Sequence, residues 1–98
     1  MKLFIFARFH ARPEFESLLG ETLLAVSAET RAESDCLDHH VFRSIQDPRL
    51  FYIHSQWTNE AAFERHIGLP HTLRFVERVE LLIDHRLDVS RTHMFDRT

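Results

Sequence analysis

Hydrophobic and polar residues alternate with a period of two in four stretches of this chain, and apolar residues recur every three or four positions between them. The alternation predicts β-strands over residues 2–10, 36–45, 50–57 and 86–94. The three-and-four spacing predicts helices over residues 13–33, 60–67 and 70–82. This order is typical of the ferredoxin-like split βαβ arrangement, an α+β fold with helices on one face of a four-stranded antiparallel sheet.

The first predicted strand is apolar on both faces. One face carries Leu3, Ile5, Ala7 and Phe9. Phe4 and Phe6 point to the opposite side, and a strand with two apolar faces is normally covered on both. Because the helices cover only one face of the sheet, we expect a homodimer that forms through the helix-free sheet face.

The first predicted helix carries an apolar stripe made of Phe15, Leu18, Leu19, Thr22, Leu23 and Val26. Asp35 and Gly68 are each expected to take the left-handed backbone conformation that commonly ends a helix. In the strand after the first helix, the alternation places Leu37, His39 and Val41 on one face.

Length and charge narrow the classes of protein to consider. The chain has 98 residues, which predicts a single domain over residues 1–98 with a loose tail at about 95–98. The net charge is −3 and no basic run occurs, so we expect no nucleic-acid partner. No apolar run is long enough to span a bilayer and no secretory signal pattern is present, which predicts no membrane partner and a cytoplasmic location.

Residues 50–75 carry the clearest chemical signal. A strand that ends at Trp57 is followed by a short helix bearing His66, and His71 follows the Gly68 and Pro70 breaks. This arrangement predicts an apolar slot with imidazoles at its edge. The chain has eight histidines, yet no helix carries a His-x-x-x-His pair and no carboxylate completes a set with His66 and His71, so no metal site is expected.

Three stretches resemble the antibiotic biosynthesis monooxygenase family: E-S-D-C-L-D-H-H-V-F-R-S-I-Q-D-P at 33–48, F-Y-I-H-S-Q-W-T-N-E-A-A-F-E-R-H at 51–66, and P-H-T-L-R-F at 70–75. The resemblance implies a small dimeric α+β barrel. It also implies a cofactor-independent oxygenase that acts on quinols or polyphenols with O2. Ser55 stands where the family often has Glu, Asp35 where Gly is common, and His39 where an aromatic residue is usual.

The resemblance also allows a comparison with the family's haem-degrading branch, which carries a triad of Asn, Trp and His. The matching positions here are Ala7, His66 and Val76, so haem is not expected and no cofactor is predicted.

The resemblance and the residue types together suggest roles in this slot. His66 is the first candidate for the general base, because an unperturbed imidazole has a pKa of roughly 6.5. His39 and His71 are candidates for a second base or an oxyanion donor. The small aromatic substrate would be bound by Trp57, Ser55, Phe63, Phe75 and Ala7.

Two other functions stay open. An isomerase could use the same imidazoles on a small carbonyl or phosphorylated compound, and a phosphate would need Arg65 or Arg74 at the slot. A non-catalytic dimeric binding module would instead hold a hydrophobic ligand, or have its slot packed shut.

Overall fold

The computed structural model describes residues 1–96, which form one sheet with three helices on one side. The elements in chain order are β1 (Leu3–His10), α1 (Glu16–Arg31), β2 (Cys36–Arg43), β3 (Leu50–Trp57), α2 (Glu60–Ile67), α3 (Pro70–Glu80) and β4 (Asp88–Thr92). The strand order is β2-β3-β1-β4 with every neighbouring pair antiparallel. The predicted α+β, ferredoxin-like fold is therefore confirmed. The last two residues of the predicted tail lie outside the described residues.

The core lies between the inner sheet face and the helices. On β1 the alternation is as predicted, with Leu3, Ile5, Ala7 and Phe9 at most 6% exposed. On β3 the buried side chains are Phe51, Ile53, Ser55 and Trp57. Leu19 and Leu23 of α1 pack on this face with no exposed surface. Burial of each such large apolar side chain stabilises the fold by roughly 1.5–3 kcal/mol.

Within residues 1–96 the outer face of the sheet carries no helix, and it presents large apolar groups. Phe6 is 52% exposed, Phe42 50% and Tyr52 39%. His54, the cross-strand partner of Phe6, stacks on its ring with centroids 4.6 Å apart. None of the helices in the described residues is long and apolar enough to cross a membrane.

The first helix is shorter than predicted and its stripe is narrower. Glu14 has φ of 72°, a left-handed conformation that cannot continue into a helix, so α1 begins at Glu16 rather than 13. It ends at Arg31, two residues before the predicted end. Phe15 and Leu18 are 41% and 51% exposed, so the prediction that they are buried is wrong.

Further predictions about backbone conformation and strand boundaries are also wrong. Within the described residues only Glu14 has a positive φ, so Asp35 is not left-handed, and Gly68 ends α2 with φ of −95°. Leu37 is 46% exposed, because a bulge between Cys36 and Asp38 shifts the alternation of β2. Strands β2 and β4 also end before the predicted boundaries at 45 and 94.

Substitutions of the adjacent residues Leu18 and Leu19 test which side of α1 packs against the core. Leu19→Ala is expected to lower the free energy of unfolding by about 2–5 kcal/mol, because it removes a fully buried side chain and leaves a cavity. Leu18→Ala is the matched control and should change it by less than about 0.5 kcal/mol. Urea unfolding of both variants at one protein concentration measures the difference. Equal losses would contradict the orientation of the helix.

Candidate active site

A cavity of about 370 Å³ lies between the sheet and the helices. The sequence-predicted site residues that line it are Ala7, His39, Ser55, Phe63, His66 and Phe75. Residues from β4 and α3, among them Val89 and Val76, complete a wall that is mostly apolar. The structure therefore brings six of the eight predicted residues to one cavity, and places Trp57 and His71 elsewhere.

His66 is held by α2 at the cavity wall. Asn59 caps the N-terminus of this helix, because its side chain accepts a hydrogen bond from the Ala62 amide at 2.9 Å. His66 Nδ1 lies 2.8 Å from Glu33 Oε2, and an ionised carboxylate only accepts, so the hydrogen sits on Nδ1. Nε2 has no hydrogen-bond partner among the described residues.

Two influences shift the pKa of His66 in opposite directions. Burial lowers the pKa of His66, and the hydrogen bond to Glu33 acts in the opposite direction. As a whole residue His66 is 8% exposed, so its imidazole is largely removed from bulk water. The result is a neutral side chain with one nitrogen fixed and the other free.

His39 enters the cavity from β2 and is anchored in the same way. Its Nδ1 lies 2.8 Å from the hydroxyl of Ser27, and Arg31 Nε donates to its backbone oxygen at 2.9 Å. Burial, followed by the nearby His66 and Arg31, lowers the pKa of His39 to about 4. His39 is therefore neutral at physiological pH.

Trp57 lies behind the cavity wall. Its indole Nε1 donates to Ser55 Oγ at 3.0 Å, and the residue is 1% exposed. Its ring centroid is 4.5 Å from that of His66 and 5.6 Å from that of Phe63. Trp57 thus supports three of the residues that line the cavity and has its only polar hydrogen already engaged.

His71 is not among the residues that line this cavity. Pro70 opens α3, and His71 in its first turn places Nε2 2.9 Å from Glu33 Oε2. The ring lines a separate opening of about 70 Å³, together with Glu29 and Arg74. Glu33 thus joins the two imidazoles, and the expectation that no carboxylate accompanies them is wrong.

Four polar residues near the two imidazoles and the cavity were not predicted from the sequence: Glu33, Ser27, Thr72 and Arg91. For Glu33 the sequence offered one signal. It is an acidic residue just beyond the C-terminus of α1, where the helix dipole disfavours negative charge, so another role for it could have been suspected. Arg91 lines the cavity from β4 and lies over the ring of Phe63 at 5.1 Å. Its guanidinium donates to Glu60 and Glu64, which neutralise it.

Sheet order, helices on a single face and imidazoles at a mostly apolar cavity define a small α+β domain of the ferredoxin-like class. The family model described as antibiotic biosynthesis monooxygenase matches residues 3–78. The chain therefore belongs to the antibiotic biosynthesis monooxygenase family, as its motifs predicted. No curated protein matches the chain in sequence.

Several solved structures are similar over almost the whole chain. Rv0793 from Mycobacterium tuberculosis is 26% identical, with a TM-score of 0.91 over 99% of this chain and 98% of its own. PA3566 from Pseudomonas aeruginosa is 32% identical, with a TM-score of 0.88 over 97% and 95%. A crystal structure of an antibiotic biosynthesis monooxygenase is 22% identical, with a TM-score of 0.89 over 96% and 99%, and this similarity shows the fold alone.

The depressed pKa of His39 predicts an acid-sensitive contribution to stability. The unfolded chain takes up a proton near pH 6.5 and the folded chain only near pH 4, so this stability is complete above pH 6.5 and is lost as the pH falls. The loss at pH 4 is roughly 3 kcal/mol. His39→Asn, which keeps a polar partner for Ser27 and does not titrate, should flatten the fall in stability between pH 6.5 and 4.

Urea unfolding across this pH range measures that slope, and NMR titration of the imidazole of His39 gives its pKa directly. A His39 resonance that titrates near pH 6.5 would contradict the buried, neutral assignment.

Proposed function

We propose that this protein is a cofactor-independent monooxygenase that oxidises a quinol-like or polyphenolic aromatic with O2, with His66 as the general base. The observation that carries the proposal is that His66 lines a cavity of about 370 Å³ with its Nδ1 bonded to Glu33, which leaves Nε2 as the proton acceptor. A volume of this size falls in the range of roughly 300–1,000 Å³ that is usual for small-molecule sites.

In this proposal His66 Nε2 takes a proton from a substrate hydroxyl, and Glu33 stabilises the imidazolium that forms. The electron-rich ring then reacts with O2 in an apolar, water-poor space. One oxygen atom enters the ring and the other leaves as water. The quinol supplies all four electrons that this reduction of O2 needs, so its product is a hydroxylated quinone.

His39 is proposed as the oxyanion donor rather than a second base, since a pKa of about 4 leaves it a weak proton acceptor at neutral pH. When Ser27 donates to Nδ1 of His39, the imidazole hydrogen is on Nε2 and can bond the developing oxyanion. Ser55, oriented by the indole of Trp57, supplies a further hydroxyl at the cavity, and Phe63, Phe75 and Ala7 shape the space for the ring.

Charge at the cavity favours a neutral aromatic over a phosphorylated isomerase substrate. Arg65 is paired with Asp35 away from the cavity, and Arg74 lines the smaller opening. Among the described residues that line the cavity, Arg91 is the one guanidinium, and Glu60 and Glu64 already bond it. A phosphate would have to break these ion pairs to bind there.

We also propose that two copies of the chain pair through the outer sheet face. Members of this family are typically small homodimers. The half-exposed Phe6, Phe42 and Tyr52 lie on adjacent strands of that face and would be covered by a second copy. Burial of such a patch is the usual driving force for a stable homodimer.

The first test compares O2 uptake by wild-type protein and by His66→Gln over a panel of quinols and hydroxylated aromatics, without added flavin or metal. We expect uptake by the wild type and a loss of about 10²-fold or more in kcat for the variant, because the base is removed. His93→Gln, an exposed histidine after β4, is the matched control and should keep full activity. Equal turnover by both variants would rule out His66 as the base.

No uptake by the wild type across the panel, with the protein folded, would instead count against the oxygenase reaction. An isomerase or a binding module would then be the better hypothesis, and ligand screening by NMR would separate them.

The dimer is tested with Phe6→Glu, which places a charge in the centre of the outer sheet face. Sedimentation velocity should show a dimer for wild type and a monomer for the variant, because a buried, unpaired carboxylate is costly. Phe15→Glu is the matched control, a similarly exposed phenylalanine on the helix side, and should stay dimeric. A wild-type monomer, or a dimer broken by both changes, would contradict the proposed interface.

A further inference from the structure

We propose that Glu33, His66 and His71 form a binding site for a divalent transition-metal ion of the zinc class. The three side chains come from three separate parts of the chain: the connection after α1, the last turn of α2 and the first turn of α3. One ligand atom from each lies within 4.8 Å of the other two. The fold thus gathers these donors from positions as much as 38 residues apart.

The kinds of donor suit such an ion. Two imidazole nitrogens and one carboxylate oxygen form a ligand set that zinc, iron, cobalt and nickel all accept. Three protein ligands leave at least one coordination position for water or another small ligand. The carboxylate offsets half of the charge of a divalent ion, which makes it possible to hold the ion at a largely buried position.

The spacing between the donors also suits an ion. Glu33 Oε2 lies 2.8 Å from His66 Nδ1 and 2.9 Å from His71 Nε2. Ligands about 2.1 Å from a tetrahedral zinc ion are separated by about 3.4 Å, so an ion can replace the two bridging hydrogens once the side chains move apart by about 0.5 Å. The Thr72 hydroxyl, 3.4 Å from His66 Nδ1, offers a hydrogen-bond partner for water on the ion.

Burial distinguishes this cluster from the other histidine–carboxylate contacts of the described residues. The side chains of His66, Glu33 and His71 are 9%, 17% and 17% exposed. The contact of His10 with Asp47 and Asp84 has a single imidazole, and its carboxylates are 42% and 36% exposed. A site of low exposure with two nitrogens holds an ion far more firmly than a solvated pair does.

Occupancy would have a consequence that rests on the proposed function. A neutral imidazole that binds an ion through Nδ1 keeps its remaining hydrogen on Nε2. In the proposed function Nε2 of His66 is the atom that accepts the proton, so a metal-bound His66 has no lone pair left to take a substrate proton. The metal-bound protein is therefore expected to be inactive as an oxygenase and to recover when a chelator removes the ion.

The site is tested with the untagged full-length chain, freed of metal by a chelator and titrated with Zn²⁺. Calorimetry should show one tight ion per chain, and NMR should show that the ring resonances of His66 and His71 shift together. Glu33→Gln and His71→Gln should each weaken binding by about 100-fold or more, since each removes one donor. His10→Gln, which breaks the exposed histidine–carboxylate contact, is the matched control and should bind as wild type does.

Absence of tight binding by the wild type would overturn the site. Binding kept by both Glu33→Gln and His71→Gln, or ring shifts at other histidines only, would overturn it as well. The ring shifts in wild-type protein decide the matter even if both variants fail to fold.

O2 uptake, measured on the same samples with a quinol that the apoprotein oxidises, separates this inference from the proposed function. Zinc bound at these residues with unchanged uptake would overturn the inhibition and count against His66 as the base. Failure to bind zinc would overturn the site alone and leave the oxygenase proposal as it stood.

Discussion

One carboxylate holds the candidate site together. Glu33 lies beyond the end of α1 and bonds an imidazole from α2 and another from α3, so it ties both helices to the connection between α1 and β2. A largely buried carboxylate is costly unless several donors satisfy it, and here two ring N–H groups do so. The position of His66 at the cavity follows from this bond together with the ring of Trp57 behind it.

The imidazoles of His66 and His39 have different properties because their Nδ1 atoms have different hydrogen-bond partners. His66 is anchored by an anion, which supports a positive charge on the ring, whereas His39 is anchored by a neutral hydroxyl beside Arg31. Burial acts on both in the same direction. These different partners suit His66 to accept a proton and His39 to donate a hydrogen bond while neutral, as we propose. Active sites commonly give identical residue types different roles through their surroundings.

Regular alternation made the sheet predictable, and departures from it explain the errors. Ala7 and His39 were placed on the inner face because the period of two holds there, but the bulge after Cys36 moved Leu37 out. The hydrogen bond from Trp57 to Ser55 could have been anticipated, since residues two apart on a strand share a face. The two partners of Glu33 could not have been predicted. They lie more than thirty residues away along the chain, and no local sequence pattern indicates such a contact.

The edge strand β4 has a consequence for how a molecule reaches the cavity. This strand has only five residues and forms its ladder with β1 alone, while Val89 and Arg91 form part of the cavity wall. A short strand with a single ladder needs the least free energy to detach locally. Local opening of β4 would therefore widen the cavity from this side while the ladders among the other three strands stay intact.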